Sequence, residues 1–301
     1  MQPPFNNRSN NNEVLNRFRN EAKNLSKVIN KTDDLKIYNQ ALKVRPADWR
    51  LWHRQALLLS SMGRLAEALD SMQKAVEKTP WSRVLHYQYA AMLNQSGRYD
   101  DAANAATRAI LLKRDFPEAT HQLASARAGQ GSIEQAAKLF AESLVLDPRM
   151  GDAWLDWGRM LERRKKTNEA VVVYRDALRS LPNSARIHYR LGMSQKSTGL
   201  SDDALNSFNR AVSIDANFAE AHFQIGVCFV GEQLFEKAVE SFQKAIIAKP
   251  ALTQARFNLG AGLLKLERYK EAVPHFERLV SEQPQDKQVK QYLEYSKSKI
   301  K

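Results

Sequence analysis

The sequence predicts an all-α solenoid of antiparallel helix pairs, and three observations carry that prediction. Alanine recurs every 34 residues, at Ala68, Ala102, Ala136, Ala170, Ala204, Ala238 and Ala272. Each period holds two apolar stripes at helical spacing, such as Trp154, Trp157, Gly158 and Leu161 followed by Ala170, Tyr174 and Ala177. Glycine and proline punctuate the register. Gly63, Gly97, Gly131 and Gly199 follow the first stripe, and Pro80, Pro148, Pro182, Pro250 and Pro284 follow the second. Glycine suits a left-handed helix cap, and proline cannot continue a helix.

The elements follow in chain order. Residues 1–14 are expected to form a disordered tail, since the first twelve include five Asn and two Pro. Residues 15–48 fit a degenerate first repeat through Phe18, Ala22, Leu25, Tyr38, Ala41 and Pro46, with Ile29 in place of Gly and Asp34 in place of Ala. An end unit with no neighbour on one side is free to depart in this way. Residues 49–286 form seven units of 34, starting at Trp49, Arg83, Pro117, Gly151, Ala185, Ala219 and Thr253. Small residues at positions 8, 20 and 27, with Leu279 the exception at 27, let two helices approach. A bulky residue at 24 fills the groove: Met72, Phe140, Tyr174, Phe208, Phe242 and Phe276, with Ala106 the exception. Pro274 is expected to bend the last second helix slightly. Residues 287–301 read as a lone capping helix in which Val289 and Leu293 continue the buried stripe.

This pattern resembles the tetratricopeptide repeat, with its Trp-x-x-Leu-Gly…Ala…Phe…Ala…Pro signature. The resemblance implies a right-handed superhelix whose first helices line a concave, partner-binding surface through positions 2, 5, 6, 9, 12 and 13. The lysine at 5 and asparagine at 9 of chaperone-tail binders are absent: no unit has Lys at 5, and position 9 runs Leu57, Ala91, Ser125, Arg159, Met193, Val227 and Ala261.

Composition narrows the function. The 301 residues carry a net charge of +13, with 43% hydrophobic and 26% charged side chains. Residues 1–48 and 287–301 each hold +4, so the charge gathers at the ends. A single cysteine, Cys228, leaves no internal disulfide; the first residues offer no apolar stretch that reads as a secretory signal, and there is no apolar run near the ~18 residues of a membrane span. A cytoplasmic protein without membrane insertion is expected. No G-x-x-x-x-G-K-S/T, G-x-S-x-G or H-E-x-x-H motif occurs. The histidines are dispersed, each alone in its own unit, so no catalytic residue, metal ligand or cofactor is assigned. Arg163, Arg164, Lys165 and Lys166 read as a solvated turn between helices, and Cys228 as a buried small hydrophobe.

Binding chemistry concentrates at positions 5 and 6. Position 5 holds His53, Tyr87, His121, Leu155, Tyr189, Phe223 and Phe257, and position 6 holds Arg54, Gln88, Gln122, Asp156, Arg190, Gln224 and Asn258. Rings beside amides suit an extended or helical peptide, whose side chains meet the rings and whose backbone meets the amides. Packing of the rings on neighbouring helices is the competing reading. Arg50 and Arg54 share a helix face without an acidic counterpart in the next unit, and suit an acidic partner. Arg186 and Arg190 face Asp152 and Asp156 one unit earlier, so either a salt bridge or an anion satisfies them. Val227 and Leu264 extend the apolar part of the groove. A non-enzymatic adaptor binding another protein is therefore expected. The alternatives are a homo-oligomeric scaffold, or weak nucleic-acid or anionic-surface binding through the basic termini.

Overall fold

A computed structural model describes residues 31–300. The expected disordered tail, and Phe18, Ala22, Leu25 and Ile29 of the first repeat, lie outside the described residues. The chain divides into two compact units, residues 1–147 and 148–301. Among the described residues there are sixteen helices and no strand, as the periodicity requires.

The first unit contains α1 (Lys31–Val44), α2 (Trp49–Ser61), α3 (Leu65–Lys78), α4 (Arg83–Gln95), α5 (Tyr99–Leu112), α6 (Pro117–Gly129) and α7 (Ile133–Leu146). The second contains α8 (Gly151–Arg163), α9 (Thr167–Ser180), α10 (Ala185–Ser197), α11 (Ser201–Ile214), α12 (Ala219–Gly231), α13 (Phe235–Ala248), α14 (Thr253–Lys265), α15 (Tyr269–Glu282) and α16 (Lys287–Ser298). Each unit is an all-α solenoid segment of consecutive pairs, with each pair packed on the next. Helix α15 continues through Pro274. No helix among the described residues is long and apolar enough to cross a membrane.

The turn inside each pair hinges on position 15, which adopts a left-handed conformation. Glycine supplies it at Gly63, Gly97, Gly131 and Gly199, while Lys165, Gln233 and Glu267 occupy the same region at φ 60°, 61° and 57°. The basic run Arg163–Lys166 therefore contains the hinge of its own pair, and Lys166 Nζ lies 3.1 Å from Glu169.

Packing explains the pairing of small residue and ring. Met72, Phe140, Tyr174, Phe208, Phe242 and Phe276 are fully buried. A methyl group on Gly192 would stand 2.7 Å from the Phe208 ring, and one on Gly226 2.5 Å from Phe242. Such approaches cannot be accommodated without moving the ring, so the helices touch where side chains are smallest.

Position 4 has a second task that the sequence disclosed only as packing. Its N–H group reaches back to the backbone carbonyl six residues earlier, at the end of the preceding period. Trp52 Nε1 donates to Pro46 O (2.9 Å), His86 Nε2 to Pro80 O (2.9 Å) and Trp154 Nε1 to Pro148 O (3.0 Å). His188, His222 and Arg256 repeat the bond at 3.0, 2.9 and 2.8 Å. Tryptophan, histidine and arginine are interchangeable here because each offers an N–H at the right reach. The carbonyl requires histidine to carry its proton on Nε2.

Acid sensitivity follows from burial. Burial pushes His53, His188 and His275 below the ordinary imidazole value of 6.5; hydrogen bonds to Gln88 and Pro182 oppose this at the first two, and Arg256 reinforces it at His275. A depressed folded-state value means that the unfolded chain takes up the proton first. Stability is then complete above the unfolded value and declines as pH falls below about 6.5 toward the folded values. The melting temperature is expected to drop between about pH 7 and pH 5.5, less so when all three histidines are replaced by glutamine. A flat profile for the unaltered protein over that range would contradict this.

Candidate functional site

The first helix of each pair carries the candidate residues, and the helix pitch alternates their fates. Position 5 turns partly into the core. Tyr87 meets Phe116 edge-on at 5.4 Å, Tyr189 lies 5.0 Å from Phe218 and 5.8 Å from Phe208, and Phe223 lies 5.8 Å from Phe242. Phe257 contacts Phe276 at 6.1 Å and Tyr292 at 5.3 Å. His121 is buried beside Phe140. The competing reading, in which the rings pack on neighbouring helices, describes part of each: every ring leans on the core, and His121 has almost no exposed surface. Phe223 and Phe257 nevertheless keep a face on a cavity.

Position 6 forms a row of clasps. Gln88 Oε1 accepts from His53 Nε2 at 2.7 Å, and Gln122 receives Asn94 Nδ2 on its carbonyl oxygen (2.9 Å) and its side chain (3.1 Å). Arg190 stands 3.8 Å from Glu162, and Gln224 Oε1 accepts from Lys196 Nζ at 2.9 Å. In the last three cases, position 12 of one period meets position 6 of the next. Asn258 breaks the series, because Val230 occupies position 12 before it. Its amide has no hydrogen-bond partner among the described residues.

The two arginine sites also differ. Arg186 reaches Asp152 at 3.4 Å, as one of the two sequence alternatives has it, whereas Arg190 turns to Glu162 and Asp156 to Arg159. Arg50 lies 5.0 Å from the Trp49 ring. Arg50 and Arg54 are both exposed, and neither has a carboxylate partner among the described residues.

In the second unit the structure gathers Phe223, Gln224, Val227, Phe257 and Asn258 around a cavity of about 550 Å³. Lys196, Gln254, Gln283, Asp286 and Gln288 complete its polar wall, with Leu279 and Val289 on the apolar side. A smaller apolar cleft of about 180 Å³ adjoins it through Val227 and Asn258, bounded by Val230, Phe235 and Ala261. Leu264 lines neither; it packs in the core around Leu263 and Val289. Tyr189 and Arg190 also lie outside both cavities, and Arg50, Arg54, Tyr87, Gln88, His121 and Gln122 belong to the first unit.

Lys196, Asp286 and Gln288 escape the sequence reading. Lys196 sits at position 12, among the lining positions, but its place is legible only once its bond to Gln224 is seen. Asp286 and Gln288 belong to the start of the capping helix, where Asp286 Oδ1 accepts from the backbone N–H groups of Gln288 and Val289 at 2.9 and 3.1 Å. Cys228 is half-buried rather than enclosed, and desolvation raises its thiol above the ordinary value. That favours the protonated, less nucleophilic form.

Family models described as tetratricopeptide repeat match residues 35–82, 121–185 and 189–253, and a further one residues 255–288. Together they cover more than half of the chain. Over 88 residues the chain is 33% identical to an Hsp70-Hsp90 organizing protein of Triticum aestivum, a match covering 29% of this chain and 15% of that protein. Over 116 residues it is 30% identical to tetratricopeptide repeat protein 33 of Xenopus laevis, covering 38% and 45% respectively. The chain spans less than half the length of these curated relatives. Among solved structures, yeast Tom70 aligns with a TM-score of 0.63 at 16% identity, over 90% of this chain and 58% of Tom70. That likeness is one of fold.

Proposed function

Because the chain belongs to the tetratricopeptide repeat family, we propose that it is a non-enzymatic adaptor that holds a peptide segment of another protein against its first helices. The observation that carries this reading is the 550 Å³ cavity of the second unit. Its floor of Phe223, Val227 and Phe257 accepts an apolar side chain, and Gln224 and Asn258 stand beside it with amide groups suited to a peptide backbone. Asn258 supports the reading most directly, since its partners are still to be supplied. Arg50 and Arg54 offer a separate place for an acidic stretch of the partner. Position 5 carries no lysine in any unit, so an apolar anchor takes the place of a carboxylate grip.

A peptide selected from a random display library on the intact chain provides the test. Asn258→Ala is expected to weaken it about fivefold, corresponding to one hydrogen bond of ~1 kcal/mol. Val227→Asp is expected to remove measurable binding by placing a charge on the apolar floor. Arg64→Glu, in a turn of the first unit, should leave affinity unchanged. A selected peptide indifferent to Asn258 and Val227 but sensitive to Arg64 would refute the proposal. For an acidic peptide held at Arg50 and Arg54, replacing both with glutamate should slow association and flatten its dependence on salt.

A further inference from the structure

The first unit carries a surface that peptide binding leaves unused. Its second helices and the turns after them end in three exposed apolar residues, one in each of three successive periods: Val44 at the end of α1, Trp81 in the α3–α4 turn and Leu111 at the end of α5. They are 64%, 71% and 71% exposed. A tryptophan left that open contributes little to the core, and an exposed apolar residue recurs at this end of three successive periods. Val145, still more open at 83%, continues the series in the next period.

Each of the three is bracketed by cations. Lys43 and Arg45 flank Val44, Lys78 and Arg83 flank Trp81, and Arg108 and Arg114 flank Leu111. None of these six has a carboxylate partner among the described residues. Of the acids nearby, Asp48 caps α2 and Glu77 is bonded to Gln73, which leaves Asp115 on this edge. The helix dipole accounts for Lys43 and Lys78, which lie in last turns. It does not account for Arg83 or Arg114, which lie beyond those turns, nor for the exposed ring between them.

The equivalent edge of the second unit serves as an internal comparison. There Arg179 pairs with Asp176 at 2.9 Å, Lys249 with Glu220 at 2.7 Å and Arg278 with Glu282 at 2.9 Å. The same fold can therefore neutralise this edge, and in the first unit it does not.

We propose that this edge of the first unit docks on an anionic lipid surface, with Trp81, Leu111 and Val44 dipping into the headgroup boundary and the flanking cations meeting lipid phosphates and carboxylates. Tryptophan favours the membrane–water boundary, aliphatic side chains gain by leaving water there, and unpaired lysine and arginine are drawn to the negative leaflet. Single-stranded nucleic acid would also attract the cations, but it binds through stacking rings, and valine and leucine offer it none. Binding is peripheral and independent of the peptide site in the second unit.

Vesicle co-sedimentation of the full chain tests the proposal, using phosphatidylcholine vesicles with and without phosphatidylserine. The chain is expected to pellet only with the serine-containing vesicles, and less at high salt. Arg108→Glu with Arg114→Glu should lower partitioning by about thirtyfold or more, from two lost cations at ~1 kcal/mol each. Trp81→Ala with Leu111→Ser should lower it at constant charge, while Arg179→Glu with Lys249→Glu on the second unit should not. All the substituted side chains are exposed, and circular dichroism verifies that each variant is folded. Failure of the unaltered chain to pellet with anionic vesicles would overturn the proposal. Equal pelleting of the first-unit variants would also overturn it, assigning the affinity to the basic termini. Binding to polyuridylate that survives Trp81→Ala, without vesicle binding, would overturn it in favour of nucleic acid.

Discussion

Replacing Tyr174 with alanine is expected to destabilise the second unit by ~3–5 kcal/mol, the range for deleting a buried ring. Tyr174 is completely buried, and its ring lies directly against the Cα of Gly158. Its hydroxyl donates to Glu162 at 3.2 Å, and Glu162 also accepts from Ser194 at 2.8 Å. Deletion therefore opens a cavity and strips one donor from a carboxylate that ties α8 to α10. Tyr174→Phe separates the two losses, since it keeps the ring and forfeits only the hydrogen bond, about 1 kcal/mol. Burial, followed by the charge of Glu162, raises the Tyr174 phenol well above its ordinary value. Its stabilising contribution is thus fully present below about pH 10 and declines from there as pH rises toward the raised folded-state value. Urea unfolding monitored by circular dichroism gives the comparison. An alanine variant as stable as the parent would mean that the ring does not fill the groove between α8 and α9.

The second large effect concerns binding. Phe223→Ala combined with Phe257→Ala is expected to weaken a display-selected peptide by about thirtyfold or more, since truncating a buried aromatic anchor typically costs about 2 kcal/mol or more. Both rings also lean on Phe242 and Phe276, so the double variant loses core contacts as well. Phe223→Leu with Phe257→Leu is the necessary companion, because it retains most of the volume while removing the flat faces. Fluorescence polarisation at a temperature where all variants are folded reads the affinities. If both pairs bind within about twofold of the parent, the peptide does not lie on this floor.

Much of the architecture was readable from residue spacing. Gly192 opposite Phe208 and Gly226 opposite Phe242 are complementary choices, and a complementary choice repeated every 34 residues specifies both helices and their contact. Turn chemistry was less visible. Gly63 and Gly199 advertise a left-handed hinge, whereas Lys165, Gln233 and Glu267 adopt it because the packed helices on either side impose it. The site was readable in part. Phe223, Gln224, Val227, Phe257 and Asn258 share a cavity as their periodic positions suggest, but the same periodicity cannot say how far a ring tilts inward. His121 tilts almost completely. Lys196, Asp286 and Gln288 were hidden for another reason: their place depends on bonds between successive periods and on the start of α16, which no single period contains. The paired arginines show the same limit, with Arg190 choosing Glu162 over the expected Asp156.

The row of clasps along position 6 has a bearing on motion. Asn94 with Gln122, Glu162 with Arg190 and Lys196 with Gln224 each cross from one period to the next, like rungs of a ladder. Val230 and Asn258 leave their own rung unmade, and that gap borders the cavity. The seam between α12 and α14 should accordingly breathe more readily than its neighbours, and its amides should exchange their hydrogens sooner. A guest bonded to Asn258 would complete the ladder and slow that exchange, so occupancy of the cavity would register as stiffness along the backbone.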